Sequence, residues 1–173
     1  MRSLQVRIKY RIIALFLTVF QLLMLVSCSE RKYEHCEIGI TLDDSFKEYD
    51  SGKRFDMAYT DGRVIIGVLR FSFDACLKDD IPISMSDFTF AKFYRAKATE
   101  IEDVSEVELY GYLPYFTYTL EGTDGSVHRY VATFYTTPNA YFLVMYITPA
   151  ENAKDNVEHI EDLIDRIYFK SIF

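Results

Sequence analysis

The sequence predicts an α+β domain built on an antiparallel sheet of about six to seven strands with helices packed on its faces, an α/β/α sandwich. Three observations carry this. Strand-like and helix-like runs follow one another in the order βββ-α-ββββ-α with turn residues between neighbouring strands, not in the alternation that builds a parallel sheet. Asp61-Gly62 separates two alternating runs, which is the strongest short-range hairpin signal. The run Tyr141-Phe142-Leu143-Val144-Met145-Tyr146-Ile147 is apolar in both directions, as expected of a central strand covered on both faces.

Taken in order, Glu37 to Leu42 alternates and precedes the turn residues Asp43-Asp44-Ser45, giving a first strand. Arg54 to Tyr59 and Arg63 to Phe73 form the hairpin about Asp61-Gly62, and a break follows at Lys78-Asp79-Asp80-Ile81-Pro82. From Met85 to Ala98 the period changes. Phe88, Ala91, Tyr94 and Ala98 share a helical face, with Ser84 as N-cap and Asp87 as the first-turn acid. Val104 to Tyr110, Tyr112 to Glu121, Ser126 to Thr136 and Tyr141 to Thr148 read as four strands, the last three linked by the turn residues of 122–125 and 137–139. Thr148-Pro149-Ala150-Glu151 has capping-box spacing. The stripe Val157, Ile160, Leu163, Ile164 and Ile167 then continues as a terminal amphipathic helix, with Glu158, His159, Glu161, Asp162 and Asp165 largely off it.

The N-terminus carries an address. Arg2, Arg7, Lys9 and Arg11 precede a 15-residue apolar run, Ile12 to Val26, broken only by Thr18 and Gln21 and ended by the polar Ser27-Cys28-Ser29-Glu30-Arg31-Lys32. A spanning helix needs about 20 apolar residues, so the run is short for an anchor and has the layout of a signal peptide. Leu25-Val26-Ser27-Cys28 resembles the lipobox of bacterial lipoproteins, in which the cysteine takes a diacylglycerol and becomes the new N-terminus. The chain therefore divides into a lipoprotein signal peptide (1–27), a lipidated tether (28–35) and a folded domain (36–173). This implies an extracytoplasmic, lipid-anchored protein of the cell envelope. Two further cysteines, Cys36 and Cys76, lie in a compartment that permits disulfides, so a Cys36–Cys76 bridge and two buried thiols are both open.

The stretches "IGITLDDSF", "LPYFTYTLEG", "VHRYVATFYTTPNAYFLVMYIT" and the ending "IYFKSIF", in that element order, resemble the PsbP-like (DcrB-like) domains over residues 36–173. That family includes extrinsic photosystem II subunits, a Ran-binding import factor, bacterial lipoproteins and secretion-system adaptors. The resemblance implies a sheet-and-helix adaptor fold without a catalytic motif. No photosystem-specific metal pattern is present, so a photosynthetic role does not carry over.

The chain has 19 Lys+Arg and 26 Asp+Glu, and four of the basic residues lie in the first eleven positions, so the body is strongly acidic and unsuited to nucleic acid. No Gly-x-Ser-x-Gly, Walker or Gly-x-Gly-x-x-Gly motif occurs, and His35, His128 and His159 are scattered. Glu34-His35-Cys36 reads as a polar linker in preference to a soft-metal site, and Asp155, His159 and Asp162 as a solvated helix face. Neither a metal nor a cofactor is expected. Glu100, Glu102, Asp103, Glu106 and Glu108 crowd five carboxylates into nine residues, which reads either as an acidic docking strip for a basic partner or as a charge-protected edge strand. The 14 Tyr and 14 Phe mostly fill a pleated, half-buried surface. The expected function is a non-enzymatic, membrane-tethered binding or assembly-adaptor domain whose partner is a protein. The alternative is a lipocalin-like carrier of a small apolar ligand, against which the mid-chain helix argues.

Overall fold

The computed structural model describes residues 31–170 apart from Cys36, Thr99, Glu100, Glu102 and Thr123. Its centre is a seven-stranded antiparallel sheet made of β3 (Lys47–Glu48), β4 (Met57–Thr60), β5 (Ile65–Ser72), β6 (Glu108–Tyr110), β7 (Leu113–Glu121), β8 (Val127–Thr136) and β9 (Ala140–Pro149), in the spatial order β3-β4-β5-β9-β8-β7-β6. The central position expected for 141–147 holds: β9 pairs along its length with β5 and β8, and Ala140 to Thr148 are buried throughout. The sheet has two edges, β3 and β6, so it is open and does not close into the barrel that a lipocalin-like carrier requires.

One face is aromatic. Beneath it lie α1 (Phe73–Lys78) and α2 (Asp87–Lys97), whose Phe90 and Ala91 bury against Phe116, Phe134, Tyr141, Leu143 and Met145. Phe90 stacks on Tyr141 with ring centroids 4.2 Å apart and meets Phe134 edge-on at 5.6 Å. The Tyr141 hydroxyl donates to the Pro82 carbonyl (2.8 Å) and accepts from the Met85 amide (2.9 Å), so one side chain of the central strand pins the segment that leads into α2.

The opposite face is covered by a second, three-stranded sheet and a helix. β1 (Arg31–His35), β2 (Ile38–Leu42) and β10 (Ile167–Phe169) pair in the order β1-β2-β10. With α3 (Val157–Asp165) they bring Ile38, Ile40, Leu42, Ile160, Leu163 and Ile164 onto Ile66, Val68, Phe142, Val144 and Tyr146. Within the small sheet Gly39 of β2 faces Tyr168 of β10, whose ring any Cβ at that position would meet.

Several local expectations change. Arg31–His35, within the stretch expected to be a tether, pair residue for residue with β2. The Asp61-Gly62 turn is not a two-residue loop. The strands last pair at Thr60↔Ile65, and of the two turn residues only Gly62 (φ 87°) lies in the left-handed region. The four-residue loop is instead organised by Asp61, whose carboxylate accepts from the Arg63 and Val64 amides, both at 2.9 Å. Helix α2 is capped by Ser86, not Ser84. Thr148 does not cap the last helix, since its hydroxyl donates to the Arg63 carbonyl (3.1 Å) and accepts from Asn156 Nδ2 (2.7 Å). A 3₁₀ turn, Ala150–Asn152, intervenes before α3 begins at Val157. The helical stripe ends at Asp165, and Ile167 belongs to β10. The strand expected from Val104 is only Glu108–Tyr110.

Candidate functional site

The cover on the second face is incomplete. The nine-residue α3 sits over β5 and β9 but leaves the β7–β8 end of the sheet open, and a groove of about 520 Å³ runs between them. Alternation along β7 builds its floor: Phe116 and Tyr118 turn into the aromatic core, while Tyr115, Thr117 and Thr119 turn to the groove beside Arg129 and Val131 of β8. Val157, Ile160 and Ile164 of α3 form the wall, and the turn at Ala150, Ala153 and Lys154 closes one end. Val157 is 49% exposed although it belongs to the apolar stripe, because it overhangs this gap. The size is that of ligand pockets in general, which run about 300–1,000 Å³ with a mostly apolar lining and a few placed polar groups.

The groove is electrically asymmetric. At one end Arg129 is held in position: Nη1 donates to Thr119 Oγ1 (3.1 Å) and to the Asp103 carboxylate (3.1 Å), and Nη2 to Thr117 Oγ1 (2.5 Å). Lys154 stands exposed beside it. At the other end lie Tyr110, Tyr115 and Glu161. The Tyr115 hydroxyl donates to Glu108 (2.8 Å), and this bond, then burial and Glu161, push its ionisation upward; Tyr110 moves the same way through burial, Asp165 and Glu161. Both phenols therefore stay protonated, and the local field is negative.

A second cluster ties the β4–β5 loop to α3. Asp61, with a side chain 1% exposed, also accepts from Arg63 Nε (3.1 Å) and from His159 Nε2 (2.9 Å). Burial alone would raise its pKa, but the Val64 and Arg63 amides, the Arg63 guanidinium and His159 together hold it below the ordinary Asp value. The His159 ring stacks on Phe46 at 6.3 Å. No nucleophile faces this pair among the residues it contacts, and its chemistry is that of a clamp between the loop and the helix.

The residues singled out from sequence fall in different places. Cys28, Cys36, Glu100 and Glu102 lie outside the described residues, so neither the lipidation site nor a Cys36–Cys76 bridge has geometry here. Cys76 is a free, buried thiol in the aromatic core, aimed at the Phe71 carbonyl (3.8 Å), and burial followed by Asp79 raises its pKa. The described acidic residues do not form a row of free carboxylates. Asp103 pairs with Arg129 at 3.1 Å, Glu106 with Arg95 at 2.7 Å, and Glu108 with Tyr115, so each is engaged within the domain. His159 is not on a solvated face but bonded to Asp61, and Glu34 pairs with Lys170 and Tyr168. Among the described residues no group of three or more His, Cys, Asp or Glu is placed to hold a metal. Sequence reasoning missed the groove. Its only trace was the polar set Thr117, Thr119 and Arg129 on the strand faces opposite Phe116, Tyr118 and Tyr130.

No protein-family model matches the chain, and no curated protein matches its sequence. Solved structures do. A Bacteroides thetaiotaomicron protein, solved by crystallography at 1.50 Å resolution, is 11% identical with a TM-score of 0.51 over 82% of this chain and 49% of its own, so this chain spans about half that protein's length. The solution structure of cyanobacterial PsbP (CyanoP) from Synechocystis is 11% identical with a TM-score of 0.49, covering 83% of this chain and 94% of its own. LpqN of Mycobacterium tuberculosis, involved in cell envelope biogenesis, is 6% identical with a TM-score of 0.48, covering 83% of this chain and 92% of its own. At 11% identity the likeness to the Bacteroides thetaiotaomicron protein concerns the fold alone.

Proposed function

We propose that this chain is an extracytoplasmic, membrane-tethered binding or assembly-adaptor domain of the cell envelope, without catalytic activity, and that the groove beside α3 is its binding face. The tether is the acylated Cys28, following removal of residues 1–27; the ordered basic, apolar and lipobox segments support this. The single observation that carries the binding reading is the groove itself. It sets apolar wall residues of α3 beside polar groups fixed on β7 and β8, whereas the hollow at Phe55, Ile65, Leu120 and Tyr130 on the aromatic face is rimmed mainly by loop residues 49–54 and 121–126. The acidic strip is the weaker docking candidate, because its described members are already paired.

Mass spectrometry of protein extracted from membranes tests the tether: a diacylglyceryl adduct at the N-terminal Cys28 is expected, and an unmodified soluble form overturns it. A photo-crosslinking residue placed at Val157 in the groove, against one at the exposed Leu77 of α1 on the other face, tests the binding face in cells. Adducts of any mass from Val157 and none from Leu77 are expected. The reverse pattern moves the functional face to the aromatic side.

A further inference from the structure

The asymmetry of the groove specifies what it holds. We infer that its occupant is a single-chain amphiphile with an anionic head, the head lying at Arg129 and Lys154 and the chain running along Val131, Val157, Ile160 and Ile164. This rests on the groove being the binding face and goes further by naming the chemistry.

Three features lead there. First, a guanidinium has five N–H donors, and three contacts of Arg129, which lines the groove, go to Thr117, Thr119 and Asp103, which leaves two donors for an incoming oxyanion. Asp103 is 78% exposed, so its ion pair with Arg129 is weak, and an anion seated in the groove displaces it at little cost. Second, the walls between the two ends are aliphatic, and Val157, half exposed in the empty groove, is the residue that a chain would cover. Third, Glu161, with Glu108 and Asp165 close to the neutral Tyr115 and Tyr110 phenols, makes the far end negative and keeps an anionic head away from it, which fixes the direction of the ligand. A neutral oil would leave the donors of Arg129 facing apolar atoms. A cationic head would be repelled by Arg129 and Lys154 at this end of the groove.

The test uses the full chain carrying Cys28→Ser, which cannot be acylated, titrated with dansyl-labelled undecanoic acid, the matching alcohol and the matching quaternary ammonium. Saturable fluorescence enhancement is expected with the acid, binding weaker by roughly five- to tenfold with the alcohol, as for loss of a partly desolvated ion pair, and none with the ammonium. Lys154→Glu lowers affinity for the acid by a similar factor, and Val157→Asp abolishes binding. Both residues are exposed, so the urea midpoint serves as a folding control and stays unchanged. Equal binding of acid and alcohol, or an unaffected Lys154→Glu variant, overturns the anionic head. If no amphiphile binds while Val157 still crosslinks to a protein in cells, the amphiphile inference falls and the groove remains the binding face. If no amphiphile binds and Val157 crosslinks to nothing, both fall.

Discussion

The two faces of the central sheet are closed by different means, and the difference decides where a site can form. On the aromatic face the eleven-residue α2 lies across β7 and β8, and large rings from helix and strands fill the space between them. On the other face the cover is a small sheet and the nine-residue α3, whose aliphatic side chains share a core with β5, β9 and Leu113 of β7 but leave a groove over Tyr115, Thr117 and Thr119. Each face thus has a packed centre and an open end: the aromatic face opens among the loops at Phe55, Leu120 and Tyr130, and the other opens between α3 and the strands themselves. A sheet residue's neighbours, more than its own type, set its role: Thr133 is buried and bonded to the Val144 carbonyl (3.1 Å), while Thr117 and Thr119, on the same face, hold an arginine at the groove.

The contrast can be broken most severely at Phe90, fully enclosed among Tyr141, Phe134 and Tyr94. Phe90→Ala should cost about 3–5 kcal/mol, read from the urea midpoint; a loss under about 1 kcal/mol would mean that this face is not packed as described. Leu163→Ala, on the other cover and 0% exposed, should cost about 2–5 kcal/mol. Because the two sites lie on opposite faces without shared partners, the double variant should be additive within about 0.5 kcal/mol. If Leu163→Ala leaves the midpoint unchanged, α3 is not part of the core.

A smaller effect is expected at the clamp. Asp61→Ala strands two amides and His159 and should cost roughly 1–3 kcal/mol near neutral pH. The sign of its pH dependence follows from the direction of the shift. The folded-state pKa lies below the unfolded value of about 3.9, so the stabilisation is complete above that pH and is lost as pH falls through the folded value. The gap between the parent chain and Asp61→Ala should therefore narrow in acid, measured by urea unfolding near neutrality and at about pH 3; a gap that widens would contradict the bonding described. The smallest effect belongs to the groove rim, where Glu161→Ala should shift stability by no more than about 0.5 kcal/mol. A larger loss there would show that the groove edge belongs to the core.

Much of the fold was legible because its signals are local or long. The apolar run of β9, the hairpin residues and the period of α2 each declare themselves within one window of sequence. β1 did not, since Lys32 and Glu34 are exposed and its place comes from backbone pairing with β2 and from Glu34 contacts to the distant Tyr168 and Lys170. The six-residue α1 is too short to show a period, and the capping spacing at Thr148 misled because that hydroxyl serves the β4–β5 loop and Asn156. The groove was least legible. It joins Thr117, Arg129 and Val157 from three separate elements, and only the packing of α3 brings them to one space.

The β1–β2 pairing also has a mechanical side. β1 has β2 as its one backbone partner, with Glu34 also bonded to Tyr168 and Lys170, whereas β2 is held on its other edge by β10 through Ile40↔Ile167 and Ile38↔Phe169. Tension arriving at Arg31 acts on the open end of an antiparallel hairpin, so the pairs from Arg31↔Leu42 to His35↔Ile38 yield one after another instead of in a single shear. Peeling these five residues pays out roughly 16–18 Å of extra leash while β2, β10 and the core beneath them stay in place. A domain moored through residues just before Arg31 would thus carry its own slack, released under load and rewound when the load is gone.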